Sequence, residues 1–141
     1  MTEKLHRILI IDDNPADVFL HTRVIKRMGC AEEIDACEDG LAALEYLRGE
    51  AGGEPPRPAL VFLDINMPCM NGWEFLEAYE ALPAHLRGGV VIAMLTGSQD
   101  PVEALEARKH EAVQAYMAKP LSPALLTEIL AKHYPDALPQ P

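Results

Sequence analysis

Five short apolar runs, each followed by a segment with helical spacing, constrain the fold of this chain most strongly. The runs are rich in branched residues and only four to seven residues long, which favours buried strands over helices. Between them, apolar residues recur at helical spacing until a Gly or Pro ends the pattern. The alternation predicts an α/β fold with a doubly wound five-stranded parallel sheet and helices on both faces. The predicted strands are residues 5–11, 34–37, 59–63, 90–95 and 112–118.

Capping and helix-breaking residues mark the helix boundaries. Asn14 followed by Pro15 is an N-cap with proline at the first helical position, and Gly29 is a natural terminator. An Asn71-Gly72 turn precedes the third helix. The predicted helices begin near Pro15, Gly40, Gly72, Pro101 and Pro123.

Two segments lack the periodicity of a helix or a strand. Residues 49–58, GEAGGEPPRP, are dense in Gly and Pro and predict a surface loop that is long for a compact domain. After the last helix, the prolines of PDALPQP cannot continue it, which predicts a flexible tail over residues 135–141. We therefore expect one domain over residues 1–134, a common size for a single folding unit.

The composition restricts the classes of function. With 12 Lys and Arg against 22 Asp and Glu, the net charge is −10, so nucleic acid would be repelled. The amino-terminal apolar run is too short for a signal peptide or a membrane span. Cys30, Cys37 and Cys69 are odd in number and lack CxxC spacing, which argues against a disulfide framework or a zinc site. We expect a cytoplasmic globular protein with neither nucleic acid nor membrane as a partner.

Charged and polar residues follow four of the predicted strands, at the point where each strand ends. In an open parallel sheet these carboxyl ends line the functional crevice. Converging carboxylates repel one another and raise their pKa values unless a cation is present, and Mg²⁺ suits a site of carboxylate and carbonyl oxygens. The residues at the strand ends are Asp12, Asp13, Asp64, Thr96 and Lys119.

Phosphate chemistry is the usual companion of such a site. Lys119 can pair with one phosphoryl oxygen, and the Thr96 hydroxyl can hydrogen-bond another. Asp64 would then be a nucleophile beside a metal, since carboxylate attack on phosphorus gives an acyl phosphate. The alternatives are structural: the Asp pair could cap the next helix, Asp64 could be a satisfied turn residue, and Lys119 could be a solvated lysine before a proline.

Four blocks of the sequence resemble the signature motifs of bacterial response-regulator receiver domains, in the same order and over essentially the whole chain. The blocks are IIDDNPAD, LVFLDINMPCMNGW, MLTGS and YMAKPL. The resemblance implies a (βα)5 flavodoxin-like receiver fold, like that of the chemotaxis regulators. It also implies a phosphoprotein of a two-component system of signal transduction, in which Asp64 accepts a phosphoryl group from a partner histidine kinase.

The resemblance further implies a magnesium site. Asp12 and Asp13 correspond to the family's acidic pair, of which the second usually touches the metal directly. The phosphoacceptor Asp64 is another ligand. The backbone carbonyl two residues later, that of Asn66, corresponds to the last ligand that the protein provides.

Three further residues match the switch and phosphate-binding positions of the family. Thr96 corresponds to the switch hydroxyl and Lys119 to the phosphate-binding lysine. Tyr116 corresponds to the aromatic rotamer switch, which turns when the hydroxyl moves toward the phosphate. The Lys119-Pro120 peptide bond is expected to be cis, as is usual in the family.

The resemblance implies protein partners. The loop at residues 49–58 resembles that of stand-alone regulators paired with bacterial phytochrome kinases, so a bacteriophytochrome is a candidate sensor histidine kinase. We expect no output domain after residue 134, so the output would pass to an unknown downstream protein by contact or by phosphorelay. A homodimer through the last-helix face is a further hypothesis.

Two other functions fit parts of the pattern. A magnesium-dependent small-molecule phosphatase or phosphotransferase would use the same acids, but such enzymes usually need a second acid where this chain has Asn66. An interaction module that works without phosphorylation would not need the complete residue set. The expected protein is therefore a phosphoacceptor that catalyses its own phosphoryl transfer and dephosphorylation, not a metabolic enzyme.

Overall fold

A computed structural model describes residues 4–49, 58–87, 90–97 and 100–138 of the chain. In these ranges strands and helices alternate in the predicted order. The strands are β1 (Leu5–Ile11), β2 (Ala31–Cys37), β3 (Leu60–Leu63), β4 (Val91–Thr96) and β5 (Val113–Ala118). The helices are α1 (Pro15–Met28), α2 (Gly40–Arg48), α3 (Gly72–Glu80), α4 (Pro101–Arg108) and α5 (Pro123–His133), with short 3-10 helices at Ala84–Leu86 and Pro135–Ala137.

The five strands form one parallel sheet in the order β2-β1-β3-β4-β5. The chain reverses its direction of travel across the sheet at β1 and β3, whose last residues, Ile11 and Leu63, lie opposite each other. Helices pack on both faces, so the predicted doubly wound, flavodoxin-like fold is confirmed. In such sheets the crevice at this reversal is where ligands bind.

Two apolar cores lie on opposite faces of the sheet. Successive residues of a strand point to opposite faces, so Leu9 packs in the core with α2 and α3, while Ile10 packs in the core with α1 and α5. All of β3 is buried, as expected of a central parallel strand that is covered on both sides. The central strands therefore provide a rigid support for the residues at their ends.

The caps predicted for α1 are confirmed. The Asn14 side chain accepts hydrogen bonds from two N–H groups of the first turn, at 2.9 and 3.2 Å, and Gly29 ends the helix with φ 65°. Asn71, predicted as part of a turn, is the N-cap of α3 and forms a reciprocal capping box with Glu74. The cap fixes where the loop from β3 ends and the helix begins.

Strand β2 begins three residues earlier than predicted, at Ala31 rather than Ile34. The prediction relied on apolar residues, whereas β2 is an edge strand whose acidic side chains face solvent or pair with β1. Arg7 of β1 forms ion pairs with Glu33 and Asp35 across the two strands. These ion pairs add side-chain contacts between the edge strand β2 and its neighbour β1.

The structure describes residues 135–138 of the tail that the sequence predicts to be flexible, and in these residues it shows a regular, partly buried turn. Pro135–Ala137 form a 3-10 helix, and Ala137 is only 3% exposed. The hydroxyl of Tyr134, the C-cap residue that follows α5, donates to the carbonyl oxygen of Ala59 at 2.8 Å. The prolines stop the α-helix as expected, but apolar burial then holds the following turn against the core.

The loop predicted at residues 49–58 falls mostly on residues 50–57, which lie outside the described part of the chain. Among the helices that are described, none has the length and apolar character needed to cross a membrane.

His21 of α1 is a buried histidine. The residue is 1% exposed, and neither ring nitrogen has a hydrogen-bond partner among the described residues. Burial lowers the pKa of His21 below its usual 6.5, against the opposing charges of Asp17 and Asp12. The folded protein therefore holds the neutral imidazole, whereas the unfolded chain takes up a proton near pH 6.5.

We predict that His21→Leu removes part of the acid-induced loss of stability. As pH falls below 6.5, the unfolded wild type binds more protons than the folded protein, so the free energy of unfolding drops by up to about 1.4 kcal/mol per pH unit. Urea unfolding measured between about pH 7.5 and 5.5 gives the free energy of unfolding of both proteins. As pH falls, this free energy should decrease less in the variant than in the wild type. The exposed His85→Leu is the control and should follow the wild type. A constant difference between His21→Leu and the wild type would contradict the prediction.

Candidate functional site

The hydrogen bonds of the sheet continue past the strands, so the backbone of each key residue is fixed to a neighbouring strand. The N–H of Asp12 donates to the carbonyl oxygen of the last residue of β2 at 3.0 Å. The N–H of Asp64 donates to the carbonyl oxygen of the last residue of β1 at 2.9 Å. The N–H of Lys119 donates to the last residue of β4 at 2.8 Å. The strand ends are therefore held in register with one another.

Three carboxylates meet at the ends of β1 and β3. Asp12, Asp13 and Asp64 each place an oxygen within 4.8 Å of the others. Asp12 and Asp64 are only 4% and 7% exposed, whereas Asp13 faces solvent. A buried pair of like charges is unfavourable unless a cation offsets it. The structure thus brings together the three acids expected from the sequence, and their roles stay predictions.

Lys119 supplies a cation from the end of β5. Its Nζ atom lies 2.8 Å from Asp12 Oδ2 and 3.3 Å from Asp64 Oδ1. The Lys119-Pro120 peptide bond is cis, as predicted. A further carboxylate, that of Asp17 in the first turn of α1, accepts a hydrogen bond from Nζ at 2.8 Å. The ammonium group therefore contacts three acids.

These contacts shift two pKa values. Burial, followed by repulsion from Asp12, raises the pKa of Asp64 above its usual value, although Lys119 opposes both effects. Burial would lower the pKa of Lys119, but hydrogen bonds to Asp12 and Asp17 and the charge of Asp64 outweigh it and raise that pKa. Lys119 therefore stays protonated. The acids still carry an excess of negative charge, which a second cation would relieve.

The donor set fits a magnesium ion. An octahedral ion with ligands at about 2.1 Å holds neighbouring oxygens about 3 Å apart and opposite oxygens about 4 Å apart. The spread of up to 4.8 Å among the three acids is close to this, and the exposed Asp13 leaves room for the waters that Mg²⁺ retains. Asn66, whose carbonyl the sequence analysis offers as another ligand, is an exposed residue of the loop after β3. Its role stays a prediction.

The loop that follows Asp64 turns back tightly against its own start. The N–H of Gly72 donates to the carbonyl oxygen of Ile65 at 2.8 Å. A Cβ atom at Gly72 would lie 2.5 Å from the carbonyl oxygen of Asp64, so a larger residue would displace the backbone there. Gly72 therefore fixes both the start of α3 and the backbone position of Asp64.

The two residues expected to act as a switch share one acceptor. Thr96, at the end of β4, is 2% exposed, and its hydroxyl donates to Glu103 Oε1 at 3.1 Å. The hydroxyl of the half-buried Tyr116 donates to the same oxygen at 3.2 Å. Burial, followed by the charge of Glu103, raises the pKa of Tyr116. The switch roles of Thr96 and Tyr116 stay predictions.

Sequence reasoning missed two members of this site, Asp17 and Glu103. Both lie in the first turn of a helix, where the helix dipole favours an acid and the residue type alone gives no functional signal. The topology offered a signal. A helix that follows a parallel strand begins at the carboxyl edge of the sheet, so its first turn lies beside the strand-end residues.

Comparison with known sequences agrees with this geometry. Residues 8–131 match the family model described as the response regulator receiver domain. The chain is also similar to the probable methanogenesis regulatory protein FilR2 of Methanothrix harundinacea. The two are 35% identical over 115 residues, which cover 82% of this chain and 72% of that protein.

Two solved structures are similar over most of the chain. A two-component response regulator from Cytophaga hutchinsonii has a TM-score of 0.82 and 30% identity, over 92% of this chain and 97% of that chain. The bacteriophytochrome response regulator RtBRR has a TM-score of 0.78 and 28% identity, over 92% of this chain and 78% of that chain. Since the family model matches most of its residues, this chain belongs to the response regulator receiver domain family of two-component signalling.

We predict that Lys119→Met lowers the free energy of unfolding at neutral pH by about 2–4 kcal/mol, because Asp12 and Asp64 stay buried without their cation. The loss should shrink as pH falls, since protonated carboxyl groups no longer repel each other. Urea unfolding with a metal chelator present measures both effects. The matched control is Lys109→Met, which removes an exposed lysine that pairs with Glu106. Equal losses in the two variants would show that Lys119 does not stabilise the acids.

We predict that Asp13→Asn weakens Mg²⁺ binding by about tenfold or more, because it removes one of the three carboxylates from the ligand set. The stability of the metal-free fold should change little, since Asp13 is exposed. Isothermal titration calorimetry gives the affinity. The exposed Asp136→Asn, in the 3-10 helix after α5, is the control for loss of one negative charge. Wild-type affinity in Asp13→Asn would remove Asp13 from the ligand set.

Proposed function

We propose that the protein is a cytoplasmic response regulator that accepts a phosphoryl group on Asp64 from a histidine kinase, with Mg²⁺, and then changes its protein-binding surface. The observation that supports this most is the position of Lys119 Nζ, 3.3 Å from Asp64 Oδ1 and beside two further strand-end carboxylates. A nucleophilic carboxylate, a fixed cation and an acidic metal site are what phosphoryl transfer requires, since its catalysis is mainly positioning and charge stabilisation. Membership of the receiver family supports the same reaction.

In the proposed transfer, a carboxylate oxygen of Asp64 attacks the phosphorus atom of a phosphohistidine, in line with the P–N bond. A P–O bond forms, the P–N bond breaks, and its electron pair returns to the imidazole nitrogen. Asp64 must be ionised to attack, and Lys119 favours the ionised form by opposing the rise in the pKa of Asp64 that burial causes. The product is an acyl phosphate.

The transferred group is stabilised from several sides. The three strand-end acids, Asp12, Asp13 and Asp64, would hold Mg²⁺, which would supply positive charge to offset the charge of the transferred group. The ammonium group of Lys119 can turn from Asp17 to a phosphoryl oxygen, because both lie within reach of its flexible side chain. The Thr96 hydroxyl can donate to another oxygen from the end of β4.

The chemistry is expected to change the surface formed by α4, β5 and α5. When Thr96 moves toward the phosphoryl group, it vacates space into which the side chain of Tyr116 can turn. Tyr116 is half-buried and hydrogen-bonded to α4, so its rotation alters what this surface offers to a partner. A downstream protein would then bind or dissociate.

For the kinase, we propose a sensor of the bacteriophytochrome type. The similarity to a bacteriophytochrome response regulator supports this assignment. The Gly- and Pro-rich segment at residues 49–58 supports it as well, through its resemblance to the loop of phytochrome-paired regulators. A homodimer through α5 is part of the same proposal. The net charge of −10 supports protein rather than nucleic acid as the downstream partner.

We predict that Asp64→Asn folds but is not labelled by a small phosphodonor such as acetyl phosphate in the presence of Mg²⁺. The wild type should gain one phosphoryl group that hydroxylamine removes, as expected of an acyl phosphate. The variant should gain none, because an amide lacks the nucleophilic oxygen. Intact-mass measurement detects the label, and circular dichroism checks the fold.

The control for this experiment is Asp136→Asn, which removes one exposed carboxylate and should be labelled like the wild type. Undiminished labelling of Asp64→Asn would show that the acceptor is a different residue. Steady hydrolysis of small phosphate esters by the wild type would instead indicate a phosphatase and reject the proposal.

A further inference from the structure

Glu103 joins two residues that the proposed mechanism moves. Its Oε1 atom accepts hydrogen bonds from Thr96 Oγ1 at 3.1 Å and from the Tyr116 hydroxyl at 3.2 Å. Thr96 ends β4, Tyr116 lies in β5 and Glu103 lies in the first turn of α4. An ionised carboxylate can only accept hydrogen bonds, so Glu103 is the acceptor in both contacts. The side chain of Thr96 is also hydrogen-bonded to Tyr116, which opposes the rise in the pKa of Tyr116. One oxygen atom therefore links three elements of the fold.

The start of the helix does not by itself explain where this carboxylate points. In α3, the glutamate in the third helical position, Glu74, reaches back to the N–H of the N-cap Asn71 at 3.1 Å. Glu103 occupies the same position in α4, after the N-cap Asp100. Its carboxylate, however, is directed at the hydroxyls of β4 and β5. The side chain is therefore oriented by those hydroxyls rather than by capping.

Few side chains of helix α4 are buried against the sheet. Of its eight residues, Ala107 is the buried one, and Val102 and Leu105 are 65% and 58% exposed. An element with few buried apolar contacts shifts at low free-energy cost. The hydrogen bonds of Glu103 are therefore a substantial part of what ties the first turn of α4 to the sheet.

We propose that Glu103 is a latch, which holds the first turn of α4 in the unphosphorylated arrangement and competes with the acyl phosphate for the Thr96 hydroxyl. The inference rests on the proposed function and adds a positioning residue that acts through Thr96. A hydroxyl has one proton to donate, so it serves either the carboxylate or a phosphoryl oxygen. Phosphorylation thus releases α4. Binding free energies of two ligands are coupled reciprocally, so a partner that binds α4 in its released position also favours phosphorylation.

Weakening the acceptor should favour the phosphorylated arrangement. We expect Glu103→Gln to bind beryllofluoride, a stable mimic of the acyl phosphate, about tenfold more tightly than the wild type when Mg²⁺ is present. The reason is that a neutral amide oxygen competes less well than a carboxylate for the Thr96 hydroxyl. Titration followed by NMR gives the dissociation constants. Glu103→Asp, which keeps the charge but withdraws it from Thr96, should change the affinity in the same direction.

Two controls separate the latch from a general effect of charge. Glu106→Gln removes an equal charge from α4 at a residue that pairs with Lys109, and its affinity should stay within about twofold of the wild type. In a Thr96→Val background there is no hydroxyl to compete for. There, Glu103→Gln should change the affinity by less than about twofold.

The contact itself has a readout that does not involve phosphorylation. After burial, the charge of Glu103 is the next cause of the raised pKa of Tyr116. Glu103→Gln should therefore lower the pKa of Tyr116 toward its ordinary value, whereas Glu106→Gln should not. NMR of ¹³C-labelled tyrosine follows this titration.

The outcomes distinguish the latch from the proposed function. Tighter beryllofluoride binding by Glu103→Gln that disappears in the Thr96→Val background supports the latch. Equal affinity for the wild type and both Glu103 variants overturns the latch and leaves the proposed function intact. If Glu103→Gln raises the affinity for beryllofluoride by the same factor in the Thr96→Val background, the latch is also overturned. If the wild type binds no beryllofluoride with Mg²⁺, the proposed function fails, and the latch fails with it.

Discussion

The ammonium group of Lys119 lies in contact with three carboxylates, and the order at this end of the sheet depends on those contacts. Asp12 and Asp64 are a buried pair of like charges, which is stable only beside a cation. One positive charge does not balance all the acids gathered there, since Asp13 and Asp17 lie beside them. The three strand-end acids could therefore hold a divalent ion, and in the proposed function that ion helps to bind an anionic phosphoryl group.

The topology of the sheet explains how these side chains meet. Asp12 and Asp64 follow the adjacent strands β1 and β3, whereas Lys119 follows the edge strand β5 and extends its side chain past β4 to reach them. Strand β3 is buried over its whole length, and β1 is buried from Ile8 to its end. Helix α4, on the β5 side, is mostly exposed and tied to the sheet through Glu103. In the proposed function, the strands that carry the acids perform the phosphoryl transfer, and the more loosely held α4 changes its position in response.

The sequence predicted the strands, their order along the chain and the strand-end acids, because each is a local pattern. Asp64, for example, directly follows four apolar residues. The contacts of Asp17 and Glu103 could not be predicted in this way. Asp17 and Lys119 are 102 residues apart, and their pairing depends on where the first turn of α1 lies relative to the end of β5. The ordered turn after α5 was missed for the same reason, since its burial depends on a surface that only the folded sheet provides.

A crystal structure of the protein with Mg²⁺ and beryllofluoride tests the central role of Lys119 most directly. The beryllium should be bound to Asp64, with the metal ion between the three strand-end acids. Nζ of Lys119 should have left Asp17 for a fluorine atom, at a distance typical of a charged hydrogen bond. A structure in which the mimic is bound to Asp64 while Lys119 still pairs with Asp17, or in which the metal lies away from the strand-end acids, would contradict it.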